Sequence, residues 1–171
     1  MSSHVRLIVM RHAKSSWRHP GLEDHDRPLN ERGKRSASAV ALELERLDWV
    51  PERVLSSDST RTRETWDHMK DGLPNVRATF HRSMYLGGID QACLEVLSIE
   101  DSPSCILLLG HNPGWSHMVY QLTGQPVGLK TADAVLLEPR LEASWSELMT
   151  GSQTWTLSHL IRSRTLLQNE L

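Results

Sequence analysis

Two short, nearly unbroken apolar runs, Val5–Met10 and Cys105–Leu109, constrain this chain most, because each leads within two residues to a histidine, His12 and His111. Apolar runs of this length are the pattern of strands covered on both faces, as in a parallel sheet with helices on either side. Between them the period changes. Asn30 is a candidate N-cap, and Ala37, Val40, Ala41, Leu44 and Leu47 fall on one helical face predicted to end near Trp49, before Pro51. Arg53–Ser56 then reads as a strand, and Ser59–Leu73 as a helix closed by Gly72 and Pro74. Further on, Val76–Phe80 is a third strand, Ile89–Ile99 a helix, and Trp115–Leu122 a helix ended by Gly124. Ala134–Leu137 and Thr154–Leu160 complete the strands.

Strand and helix alternate, which specifies an α/β fold. Ala13–Leu29 shows neither period and contains Pro20, Gly21 and Pro28, so a long loop is expected directly after His12. No repeat, low-complexity tract or linker divides the chain, and 171 residues is the size of one domain; a single domain over 1–171 is expected.

Composition narrows the function classes. Hydrophobic residues at 39% and charged residues at 23% give a globular balance. A net charge of -2 lacks the basic excess that drives nucleic-acid binding through phosphate neutralisation, so no nucleic-acid partner is expected. The apolar run before Arg11 is too short for a secretory leader, and no run nears the roughly 20 residues needed to cross a bilayer. No membrane partner is expected, and the cytoplasm is the expected compartment. Cys93 and Cys105 lack the paired spacing of a metal site or disulfide framework and are expected to be reduced core thiols.

In open α/β sheets ligands bind beyond the carboxyl ends of the strands. His12, Arg61 and His111 all fall at such positions, so one sheet edge receives two imidazoles and a guanidinium, which suits an anionic ligand. An Arg-His pair is common by chance. What selects Arg11-His12-Ala13 is its company: Arg27-Pro28-Leu29 in the loop, Ser57 with Arg61 and Thr65 after the second strand, and Gly110-His111-Asn112-Pro113-Gly114 after the Cys105–Leu109 run. The spacing from Ser57 selects Arg61 over Arg63, which reads as a surface residue.

This ordered set resembles the histidine phosphatase superfamily. Met10–Trp17, Asp26–Gly33 and Leu108–Gly124 are similar to its phosphohistidine phosphatase (SixA-type) branch, and Ser144–Gly151 resembles that branch's C-terminal segment. The resemblance implies a three-layer α/β/α sandwich, phosphoglycerate mutase-like, with a mainly parallel sheet and at least one antiparallel strand. It implies His12 as a nucleophile that carries the phosphoryl group, Arg11 and Arg61 as phosphate clamps and His111 as the second active-site histidine. Arg27, Ser57 and Asn112 are the implied substrate-binding residues. The chain departs from the pattern at Ala13, where Gly is frequent, at Asp58, where Pro is frequent, and at Thr62, where Ala is usual. Asp58 is expected to set a carboxylate close to the clamp.

The implied reaction is metal-independent, with no cofactor, and the favoured substrate is phosphohistidine on a protein. The alternatives are a phosphomonoesterase for a small metabolite and a weakly catalytic module that binds phosphoproteins. The short chain leaves no room for a lid, which favours the protein substrate. His19, Asp24, His25 and Asp26 cluster in the loop but fit no standard ligand frame, so no metal is expected. Asp24, Asp26 and Asp58 stay open as general acids. The six tryptophans are expected to pack the core and rim, with Trp17 and Trp115 near the pocket mouth.

Overall fold

The computed structural model describes residues 4–170. At its centre is β1 (Arg6–Arg11), whose alternating side chains send Leu7 and Val9 to one face and Ile8 and Met10 to the other, all four without exposure. A strand apolar on both faces needs a layer on each, and the chain supplies them. α1 (Glu31–Arg46), β2 (Arg53–Ser57), α2 (Thr60–Met69), β3 (Arg77–His81) and α3 (Ile89–Leu97) follow in order. After them come β4 (Cys105–Gly110), α4 (Gly114–Thr123), β5 (Ala134–Pro139), α5 (Trp145–Thr150), β6 (Trp155–Ile161) and α6 (Ser163–Gln168).

The six strands form one sheet in the order β3-β2-β4-β1-β5-β6. β3, β2, β4 and β1 are mutually parallel, β5 runs against β1, and β6 runs against β5. Only β5 therefore opposes the common direction among the described strands. Ala37, Val40, Leu44, Trp66 and Met69 of α1 and α2 pack with Ile8 and Met10 on one face, where Leu166 of α6 joins them. Ala92, Val96, Trp115, Met118, Val119 and Leu148 of α3, α4 and α5 pack with Leu7 and Val9 on the other. The result is the expected α/β/α sandwich.

Several boundaries and placements differ from those predicted. α1 stops at Arg46 because Asp48 turns the chain with φ 59°, so Trp49 enters the core from a loop instead of a helix. α2 gives way at Lys70 to one 3-10 turn. α5 and α6, six residues each, were not foreseen. Trp115 is core, not rim: it is fully buried beside Gly110, and its Nε1–H donates to the Leu108 carbonyl. Cys105 is buried, but Cys93 is only partly so. No helix among the described residues is long and apolar enough to cross a membrane.

Candidate active site

β1 and β4 are neighbours in parallel register, with Arg11 opposite Gly110, so His12 and His111 emerge side by side at the carboxyl edge. Their rings lie 5.1 Å apart between centroids. The His12 backbone is held from two directions: its N–H donates to Gly110 O at 3.0 Å, and its carbonyl accepts from Ala132 N at 2.9 Å. The loop after His12 is locked onto α1 by close approach at Gly33, where a Cβ would sit 2.1 Å from the Lys14 carbonyl oxygen. Asn30 caps α1 as predicted, its Oδ1 accepting from Gly33 N at 2.8 Å.

His12 is 6% exposed, and its Nδ1 lies 2.7 Å from the Ala13 carbonyl oxygen. A carbonyl only accepts, so Nδ1 carries the proton and Nε2 is left with a free lone pair. Burial first, then the charges of Arg61, Arg11 and Arg27, pull its pKa down to about 3, although the bond to Ala13 opposes them. The ring is neutral at pH 7. The same logic fixes His111. Arg61 Nη2 donates to His111 Nδ1 at 3.4 Å, which leaves the His111 Nε2–H to donate to Ser57 Oγ at 2.8 Å. Burial, then His12 and Arg61, bring His111 down to about 2.

Three guanidinium groups surround these imidazoles in a pocket of about 300 Å³ whose lining includes Arg11, His12, Arg27, Arg61 and His111. Arg61 is 3% exposed; Arg63, two residues on, is exposed, with Nε on the Asp58 carbonyl and its guanidinium over Phe80. Arg11 Nη1 donates to Leu129 O at 3.1 Å. Arg27 donates to Ser15 Oγ and to Asp24 Oδ1, and stacks on Trp17 at 3.8 Å. Arg11, Arg27 and Arg61 each keep a buried Nε–H with no acceptor among the described residues. Buried donors are normally paired. Three unpaired ones around one pocket are what an anion with several oxygens satisfies.

Ser57 is fully buried behind His111 and orients it instead of lining the pocket. Asn112 does line the pocket, but its amide is engaged in the fold: Nδ2 donates to Leu129 O at 2.7 Å and Oδ1 accepts from Ser116 Oγ at 2.8 Å. Asp58 is not among the residues that line the pocket, and its carboxylate faces His25. Its Oδ1 lies 2.7 Å from His25 Nε2, so it ties the 24–26 turn to the start of α2. Thr62 is buried and donates to the Ser57 carbonyl at 2.7 Å, which shapes the same turn. Ala13 is buried, and its N–H donates to Thr65 Oγ1 at 3.0 Å.

One site residue, Tyr85, escaped the sequence reading, and Asp24, left open there as a general acid, meets Arg61. Asp24 accepts Arg61 Nη2 at 2.9 Å on its carboxylate and Arg61 Nη1 at 2.6 Å on its backbone oxygen. Tyr85 donates its hydroxyl to Asp24 Oδ2 and sets its ring edge-on to His111 at 5.4 Å. Burial pushes the Asp24 carboxyl up, but bonds from Tyr85, Arg27 and Arg61 outweigh this and hold it well below the usual carboxylate range. The Tyr85 turn is seated by Gly114, where a Cβ would meet the Gly87 carbonyl oxygen at 2.0 Å. Among the described residues no group of three or more His, Cys, Asp or Glu is arranged to hold a metal.

A neutral, tautomer-fixed histidine among arginines with unpaired donors, at the carboxyl edge of an α/β/α sheet, defines a phosphoryl-transfer protein. Residues 7–85 match the histidine phosphatase superfamily (branch 1). An uncharacterised chloroplastic protein of Arabidopsis thaliana is 39% identical over 91% of this chain and 77% of its own length. The chain belongs to the histidine phosphatase superfamily, and with it to the phosphatases. Its fold is that of two proteins described as SixA-type phosphohistidine phosphatases. One, from Agrobacterium tumefaciens, has a TM-score of 0.77 and 24% identity over 93% of this chain and 98% of its own. The other, from Nakamurella multipartitia, has a TM-score of 0.79 and 23% identity over 92% of this chain and 95% of its own.

Proposed function

We propose that this chain, acting as one domain in the cytoplasm, hydrolyses phosphohistidine on a protein substrate through a phosphoryl group held on Nε2 of His12, without a metal. The observation that carries the reading is the His12 ring itself: buried, neutral, and turned by the Ala13 carbonyl so that Nε2 is the free nitrogen. In the first step the substrate's P–N bond breaks as the bond from phosphorus to Nε2 forms, and the substrate ring, already protonated on its other nitrogen, leaves as neutral imidazole. The His12 ring becomes cationic, and its Nδ1–H bond to Ala13 strengthens with that charge. In the second step water attacks phosphorus, the P–Nε2 bond breaks and inorganic phosphate departs, so one difficult displacement becomes two easier ones. Arg11 and Arg61 neutralise the equatorial oxygens in both steps, with Arg27 beside them and His111 held neutral against Arg61.

The test is an acid-free denaturant quench during turnover of a labelled phosphohistidine protein, followed by mapping of the label. Phosphate is expected on His12, and His12→Ala is expected to be inactive. Label on another residue, or full activity in His12→Ala, overturns the reading.

A further inference from the structure

A second concavity, of about 440 Å³, adjoins the catalytic pocket and shares Lys14 and Thr131 with it. Five cations line it, Lys14, Arg32, Lys130, Arg162 and Arg164, against a single carboxylate, Asp133. Asp133 is 1% exposed and fully engaged by Arg162 Nη1, the Lys130 N–H and the Ser163 N–H. That leaves four cations. Among the described residues the side chains of Lys14, Arg32, Lys130 and Arg164 make no hydrogen bond or ion pair. In a chain of net charge -2, such a gathering is a local field opposed to the global one.

The four come from separate segments: the loop after His12, the start of α1, the loop before β5 and the start of α6. Arg32 and Arg164 stand in first helical turns, where the helix dipole disfavours a cation, so local helix stability does not explain them. The character of the concavity also differs from that of the catalytic pocket. There, buried guanidinium Nε groups lack acceptors; here the four free cations are exposed, and none is among the buried unpaired donors. Exposed, flexible cations spread over a wide trough do not clamp one small anion. They steer and orient an extended acidic surface.

We infer that this trough is a docking subsite for the aspartate and glutamate side chains of the substrate protein, beside the histidine whose phosphate enters the pocket. The inference rests on the phosphohistidine reading above. Its occupant is a protein carboxylate cluster, and the subsite adds selectivity among phosphoproteins without touching the reacting atoms.

The experiment uses three substrates: a synthetic peptide with phosphohistidine flanked by glutamates, the same peptide with glutamines, and phosphoramidate, which is too small to reach the trough. The wild type is expected to prefer the glutamate peptide by about tenfold in kcat/KM, through KM, with the preference shrinking as salt is raised. The triple variant Arg32→Gln/Lys130→Gln/Arg164→Gln is expected to lose that preference and to keep wild-type turnover of phosphoramidate, which also reports that it folds. No preference in the wild type, or a preference that survives in the variant, overturns the inference. If neither peptide is hydrolysed while phosphoramidate is, the phosphohistidine-protein reading has failed. Competition by the unphosphorylated glutamate peptide then decides the subsite: equal inhibition of wild type and variant overturns it, and stronger inhibition of the wild type upholds it.

Discussion

Asp24 holds Arg61 by two contacts, its carboxylate on Nη2 at 2.9 Å and its backbone carbonyl on Nη1 at 2.6 Å, so the guanidinium proposed to clamp the phosphoryl group already faces a carboxylate. An arriving phosphate must share or displace that partner. The same contacts keep Asp24 ionised far below neutral pH, so it has no proton to give as a general acid. Asp24→Asn removes the competing charge and leaves the backbone contact. Inorganic phosphate or tungstate is expected to inhibit this variant severalfold more tightly than the wild type, with kcat for an aryl phosphate unchanged. A loss of about 100-fold in kcat is the signature of a general acid and would reverse the assignment.

Arg61 and Arg63 offer an internal control, because they share a helix but not a surface. Arg61 is buried against both histidines' pocket, while Arg63 covers Phe80 outside it. Arg61→Ala is expected to lower kcat/KM by about two to three orders of magnitude, the scale for removing one preorganised charge-stabilising group. Arg63→Ala is expected to change it by less than about threefold, as a surface substitution outside the site does. Equal losses would place the clamp elsewhere.

His12, Arg61 and His111 were legible because they stand at the ends of strands or the start of a helix whose periods are strong, and strand order then brings those ends together. Tyr85 was not legible, and neither was the pairing with Arg61 that turns Asp24 from a candidate acid into a partner of the guanidinium. Asp24 and Tyr85 lie in or beside one-turn 3-10 segments, Asp24–Asp26 and Arg82–Met84, inside stretches without period, and their meeting across 61 residues depends on tertiary packing alone. Asp58 misled for the same reason: its place in the motif was plain, but its partner His25 comes from the irregular loop. The two six-residue helices span too few turns to show an amphipathic face, and the reversed direction of β5 is written in its pairing and not in its residues.

Folding stability should carry the mark of the two neutral histidines. His12 near about 3 and His111 near about 2 are both depressed, foremost by burial, from about 6.5 in the unfolded chain. Between those values the unfolded state binds more protons, so stability is fully present above about pH 6.5 and falls as the pH drops. The slope approaches about 1.4 kcal/mol per pH unit for each histidine. Urea midpoints measured from pH 7.5 to 4.5 are expected to decline below 6.5, and His111→Gln should flatten the decline. A midpoint that is constant from pH 7 to 5 would mean that these rings are not held neutral.

Substrate preference follows from the same charge arrangement. A serine phosphate must release an alkoxide, whose conjugate acid resembles water at a pKa of about 16, so its departure needs a proton donor. Asp24 is ionised and bound to Arg61, Arg27 and Tyr85, and Asp58 faces His25. His111 directs its one ring proton at Ser57, away from the pocket. The carboxylates on hand are thus poorly placed or unable to donate. A phosphoimidazole protonated on its other ring nitrogen releases neutral imidazole, whose conjugate acid lies near 6.5, so it departs at neutral pH with little help. The ratio of kcat/KM for a protein domain bearing phosphohistidine to that for the same domain bearing phosphoserine is therefore expected to exceed about 100, the lower end of what general-acid assistance contributes. Aryl phosphates, whose phenolic leaving groups have pKa values near 10, should fall between them. A ratio near one would show a proton donor at work on the bound substrate and would move the small-metabolite phosphomonoesterase reading ahead of the phosphoprotein one.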